Sequence, residues 1–149
     1  MHLFLYTKVK SSKFFGDLGF YEIARVEDTL VFMENRRDGF GAYLRDLKKT
    51  RTEGKSAALV MNANPFTLGH QYLVEKAAAA CDTLHLFVVS EDASLVPFAV
   101  RRKLVEAGVA YLPNVVLHDS GPYIISNATF PSYFLKDEAC LLYTSDAAD

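Results

Sequence analysis

The feature that most constrains this chain is an alternation over residues 56–118. It opens with Ser56-Ala-Ala-Leu-Val-Met-Asn62, an almost unbroken apolar run of the kind expected for a strand buried on both faces of a parallel sheet. Leu68, Tyr72, Leu73, Val74, Ala77 and Ala80 then recur at helical spacing up to Cys81. Residues 83–89 form a second apolar run. Pro97 opens a second helical stretch reaching about Ala110, because proline suits the first helical turn. Residues 114–118 make a third strand. Strands alternating with helices demand right-handed crossovers, hence a parallel sheet. The fold class is therefore α/β, with part of a doubly wound sheet over residues 56–139.

The segments before it have a different character. Residues 2–7 are a short apolar strand, residues 11–18 a short helix closed by Gly19, and residues 20–26 and 29–34 two strands around Glu27-Asp28. Strand, helix and hairpin are the closing part of a sheet, so residues 1–35 are expected to finish a domain whose first half is missing. Residues 36–55 carry seven basic side chains (Arg36, Arg37, Arg45, Lys48, Lys49, Arg51, Lys55) against Asp38, Asp46 and Glu53. Phe40, Tyr43, Leu44 and Leu47 lie at helical spacing among them, which predicts an amphipathic linker helix. Its basic face is either simply solvated or attractive to an anion such as ATP.

Composition excludes several classes of function. Half of the 149 residues are hydrophobic, which argues against disorder. A net charge of −2 argues against a nucleic-acid binder, which needs a concentrated basic surface. Two cysteines, Cys81 and Cys140, make neither a disulfide framework nor a zinc motif. With no run of about 18 apolar residues and no signal peptide, the expectation is a cytoplasmic protein without a membrane span.

Ligands of open parallel sheets bind beyond the carboxyl ends of the strands. The loop leaving the first strand reads Asn62-Ala-Asn-Pro-Phe-Thr-Leu-Gly-His70. Gly69 lets a ligand approach the backbone. The helix opening at Leu68 offers unpaired N–H groups and a positive dipole end to a phosphate. Thr67 adds a hydroxyl and His70 an imidazole. A lone histidine here is compatible with packing or solvation as well as with catalysis. Neither a lysine-containing P-loop nor a Gly-x-Gly-x-x-Gly fingerprint occurs, which excludes P-loop kinases and Rossmann dehydrogenases.

Asn-Pro-Phe-Thr-x-Gly-His after a buried strand resembles the Thr/His-x-Gly-His motif of the nucleotidyltransferase superfamily, with Thr67 in place of the more usual first histidine. Residues 60–74 (VMNANPFTLGHQYLV), 84–94 (LHLFVVSEDAS) and 123–136 (YIISNATFPSYFLK) further resemble the citrate lyase ligase family. The likeness covers about residues 3–139. It implies a Rossmann-like nucleotidyltransferase domain preceded by the end of an acetyltransferase-like (GNAT) domain, carried by residues 3–8 and by Phe14-Phe-x-x-Leu-Gly-Phe-Tyr21.

The implied activity is ATP-dependent. Acetate is activated as acetyl adenylate, and the prosthetic-group thiol of the acyl carrier subunit of citrate lyase is acetylated, with AMP and pyrophosphate released. On this resemblance His70 and Thr67 are the catalytic candidates. Asn62, Asn64, Pro65, Phe66, Gly69, Ser90 and Arg101 are the ATP-binding candidates, and Mg²⁺ is expected on the β,γ-phosphates with no protein metal site.

Other polar residues read less sharply. Glu91 and Asp92 can contact nucleotide or metal, or simply cap loops. Thr129 suits a helix-start role beside Ser126. His85 reads as a satisfied core histidine, while His118 is undecided. The superfamily's second phosphate motif is expected beyond residue 139, and residues 140–149 resemble translated adapter sequence rather than family sequence. A chain cut at both ends is expected to be inactive and poorly folded. Two alternatives stay open: a nucleotidyltransferase of a small metabolite such as phosphopantetheine or a mononucleotide, and a non-catalytic nucleotide-binding fragment.

Overall fold

The structure, a computed structural model, describes residues 1–134; Cys140 and the expected foreign tail at 140–149 lie outside the described residues. The chain divides into two compact units, Met1–Arg51 and Thr52–Asp149.

The first unit contains β1 (Phe4–Thr7), α1 (Ser12–Asp17), β2 (Tyr21–Val26), β3 (Leu30–Glu34) and α2 (Gly39–Lys48). The three strands form an antiparallel sheet in the order β1-β3-β2. Gly19 has φ +90°, a left-handed conformation that lets the chain turn out of α1 into β2. Only the central strand is well covered, with Val31, Met33 and Glu34 buried. Glu34 accepts the Phe40 N–H at 2.7 Å on one oxygen and pairs with His2 Nε2 at 2.6 Å through the other. The basic segment expected to be a linker thus supplies α2, an element of this unit.

The second unit contains β4 (Ser56–Met61), α3 (Leu68–Ala79), β5 (Thr83–Val88), α4 (Phe98–Val109) and β6 (Val115–Asp119). The strands are parallel in the order β4-β5-β6, with Leu59 opposite Leu86 and Leu86 opposite Leu117. Met61, Leu84, Leu86 and Val88 project to the side where Val74 and Ala78 of α3 meet Val105 and Val109 of α4, forming one apolar cluster. Burying a valine or leucine there contributes about 1.5–3 kcal/mol.

One expectation needs correction. Residues 56–62 are not buried on both faces: Ala58 is exposed and Val60 is 41% exposed, while Ala57, Leu59 and Met61 pack on the cluster. The reason is topological. Two crossovers that advance in one direction deposit both helices on one face, and β4 is an edge strand among the described residues. The second helical layer of a doubly wound sheet is not among the described residues.

Candidate functional site

The loop from Asn62 to Thr67 leaves the carboxyl end of β4 and delivers the chain into α3. Ala63, 1% exposed, adopts φ +51°, an uncommon conformation for a residue with a side chain, and the Asn64–Pro65 peptide is cis. Thr67 caps α3 with extended backbone, and its hydroxyl accepts the His70 N–H at 3.5 Å. His70 returns the contact, since its Nδ1 accepts the Thr67 N–H at 3.1 Å and lies 2.8 Å from the Thr67 hydroxyl. This is a reciprocal capping box with imidazole in the place of the usual glutamate or glutamine.

The cap has an electrostatic consequence. An N–H can only be accepted by a ring nitrogen with a free lone pair, so neutral His70 carries its proton on Nε2. The outward edge of the ring is therefore a donor. Leu68 and Gly69 have no intrahelical acceptor for their N–H groups by helix geometry, and both residues are exposed. Backbone donors, dipole and Nε2–H together make the first turn of α3 suited to an anion.

Arg101 lies elsewhere than a phosphate-binding reading requires. It is fully buried, and its guanidinium donates to four carbonyls: Val96 (2.9 Å), Asn62 (2.8 Å), Val89 (2.8 Å) and Glu91 (2.8 Å). Burial pulls its pKa below the ordinary arginine value, with Asp92 opposing. The ring of Phe98 lies 5.6 Å from the guanidinium carbon. Arg101 thus gathers the ends of β4 and β5 and the loop after β5, with four of its donors already committed.

The same loops are stitched by side chains. Asn64 Oδ1 accepts the Val96 N–H at 2.8 Å, so this amide holds structure rather than facing open space. Asn62 Nδ2 donates to the Ser94 hydroxyl at 2.8 Å. Asn62 Oδ1 is buried and has no hydrogen-bond partner among the described residues. Ser90 accepts the Gly121 N–H at 2.9 Å, and its own N–H goes to buried Ser120.

Glu91 accepts the backbone and side-chain N–H groups of Asn127. Asp92 accepts the Phe98 N–H at the start of α4. The loop-capping alternative is the one these geometries match. Ser126, fully buried, accepts the Ala128 and Thr129 N–H groups and turns the chain just before the 3-10 turn Pro131–Phe134.

The structure thus brings Thr67, Gly69 and His70 onto one exposed turn, with Pro65 and Phe66 leading into it. Asn62, Asn64, Ser90 and Arg101 surround the strand ends behind that turn. Sequence reasoning missed the roles of Ala63 and Ser94. Nothing in their identity marks them, because positive φ and a cross-loop hydrogen bond are set by the fold. His85 and His118 form a pair of their own on the sheet face away from the helices, Nδ1 to Nε2 at 2.9 Å. Among the described residues no three His, Cys, Asp or Glu side chains cluster as a metal site, and no helix is long and apolar enough to cross a membrane.

With this geometry in view, the comparisons with known proteins decide the family. Residues 56–148 match the model of the citrate lyase ligase C-terminal domain. The chain belongs to the citrate lyase ligase family. It is 51% identical over 137 residues to citrate (pro-3S)-lyase ligase of Klebsiella pneumoniae, covering 91% of this chain and 40% of that protein. The same enzyme of Escherichia coli K12 is 46% identical over 141 residues, 94% of this chain and 40% of that protein. The chain therefore spans about two fifths of the length of these curated relatives. Phosphopantetheine adenylyltransferase of Staphylococcus carnosus is 36% identical over 69 residues, 45% of this chain and 42% of that protein. The relatives' naming as citrate lyase ligases agrees with the resemblance drawn from residues 60–74, 84–94 and 123–136, and this chain's parallel sheet is consistent with it.

Proposed function

We propose that this citrate lyase ligase chain contributes the adenylyl-transfer half of an ATP-dependent acid–thiol ligase. ATP supplies the activating adenylyl group. An acetate oxygen bonds to the α-phosphorus while the bond to pyrophosphate breaks, giving acetyl adenylate. The thiolate of the prosthetic group on the citrate lyase acyl carrier subunit then bonds to the acetyl carbonyl carbon, and AMP leaves. The relatives' names supply citrate lyase as the target, and the acyl carrier thiol and acetate follow from the sequence resemblance. On that resemblance too, residues 1–35 are the end of an acetyltransferase-like domain.

The observation that carries this reading is the capping box. With Nδ1 held by Thr67, the His70 Nε2–H is oriented to donate to a phosphate oxygen whose charge grows as pyrophosphate departs, and the Gly69 amide adds a second donor. Such catalysis rests on positioning and electrostatic stabilisation. The orphaned Asn62 Oδ1 fits a hydroxyl or amino donor of the nucleotide, since phosphate oxygens cannot donate. Arg101 acts behind the site by fixing the strand ends that carry Asn62 and Ser90. Glu91 and Asp92 are spent on Asn127 and Phe98, so no protein ligand for Mg²⁺ is assigned and the ion is read as travelling with the phosphates.

The test is acetate-dependent release of pyrophosphate from ATP by the full-length ligase, followed by acetyl transfer to the dethioacetylated acyl carrier subunit. Release that needs phosphopantetheine instead of acetate would replace this reading with the adenylyltransferase one, which the 69-residue match favours as runner-up.

A further inference from the structure

Helix α4 contains a glycine, Gly108, one residue before its end, where glycine costs about 0.5–1 kcal/mol relative to alanine. The space its missing side chain leaves is filled. A β-carbon on Gly108 would stand 2.9 Å from Phe66 Cδ1 and closer still to Cε1, inside any normal contact. The Phe66 ring in turn stacks on His70, with centroids 5.9 Å apart and planes 26° apart. Gln71, the next residue, donates to the Gly108 carbonyl at 3.3 Å and to the Tyr111 hydroxyl at 3.1 Å. Residues on both sides of His70 are therefore referenced to this one point on α4.

We propose that Gly108 is a positioning residue for His70: by admitting the Phe66 ring it sets the plane of the imidazole whose Nδ1 is tied to Thr67. The two restraints are complementary. A hydrogen bond at Nδ1 fixes one edge of the ring but leaves it free to tilt about that contact. A stacked ring removes the tilt, so Nε2–H keeps one direction. The kinetic consequence of this arrangement rests on the function proposed above, whereas the geometric one does not.

The experiment therefore has two arms, both on the full-length ligase. In the first, ¹⁵N NMR of the His70 ring reports its tautomer and hydrogen bonding. Gly108→Ala should displace Phe66 and shift the ring resonances away from the Nε2-protonated pattern. Phe66→Ala, which leaves Gly108 in place and removes the stack, should do the same even if Gly108→Ala fails to fold. In the second arm, Gly108→Ala should lower kcat for pyrophosphate release by about tenfold to a hundredfold, the scale of a ~1 Å misplacement, with a smaller change in KM for ATP.

Adding Phe66→Leu to Gly108→Ala should recover part of that loss, because a smaller side chain makes room for the new methyl. An unshifted His70 ring in both single variants overturns the proposal. So does a double variant whose losses add instead of offsetting. A wild-type enzyme that releases no pyrophosphate would refute the proposed function, and the NMR arm would still decide the role of Gly108.

Discussion

Among the described residues each unit buries one charged side chain, and they use it differently. In the first unit Glu34 reaches outward from the central strand to an element on each side, His2 before β1 and the first turn of α2, within a thin core. In the second, Arg101 collects two carbonyls just past the ends of β4 and β5 and two from the loop after β5, beside a continuous apolar cluster. A carboxylate suits a helix start, where donors are unpaired. A guanidinium suits the carboxyl ends of parallel strands, where carbonyls converge. One charge therefore replaces missing hydrophobic burial, while the other shapes a site that hydrophobic burial alone would leave loose.

Removing the guanidinium should be the most damaging change. Arg101→Met keeps most of the volume but strands four carbonyl acceptors, and disrupting a buried charged network costs about 3–5 kcal/mol. Urea unfolding should show a loss of that order, with ATP binding weakened because Asn62 and Ser90 lose their anchorage. A variant as stable as the parent would mean that the carbonyls find other donors and that the contrast between the units is false.

His70→Ala should instead separate stability from activity. The partly exposed imidazole contributes to a helix cap, which is typically worth about 1 kcal/mol. On the proposed function, removing it should also reduce pyrophosphate release by about tenfold to a hundredfold. Equal rates for variant and parent would remove His70 from the mechanism.

The sequence carried the parallel sheet well because β4, α3, β5, α4 and β6 each repeat a simple pattern, and the observed boundaries fall within a residue or two of it. The start of α3 at Leu68, with its glycine and histidine, was legible too, since these are local; that Thr67 and His70 cap each other was not. Arg101 was not. Its partners are residues 62 and 89, each just past the end of a strand, and residues 91 and 96 of the loop after β5, and no spacing within α4 announces them. The exposed face of β4 was misread for a related reason: an apolar run reports composition, while coverage depends on where the crossovers deposit their helices. The capping box had a sequence signal, threonine followed three residues later by histidine, but an imidazole in the usual glutamate position does not stand out as one.

On the other side of the comparison, Glu34→Gln should cost about 1–2 kcal/mol, as expected for weakening hydrogen bonds to a charged group. The effect should appear as disorder at the start of α2 by hydrogen exchange, with the Arg101 network and ATP binding untouched. Matching losses of protection in β4–β6 would show that the two units unfold together and are not separate in energy.

The smallest effect expected concerns pH and belongs to the second unit alone. Burial lowers the His118 pKa below its usual value near 6.5; His85 and Arg102 lower it further, while Asp119 opposes them. The ring also stacks on Phe87, with centroids 4.7 Å apart. A histidine with a depressed folded-state pKa leaves the unfolded chain binding more protons in the interval below about 6.5, so stability must fall as pH falls through that window. Above it the histidine contributes no slope. Melting temperatures measured between pH 7.5 and 5.5 should therefore decline on the acid side. His118→Gln, which keeps a polar partner for His85 but cannot titrate, should flatten the decline. Glu34→Gln should leave it unchanged, because that carboxylate lies in the other unit. Parallel slopes for parent and His118→Gln would assign the acid sensitivity elsewhere and leave the His85–His118 pair as packing only.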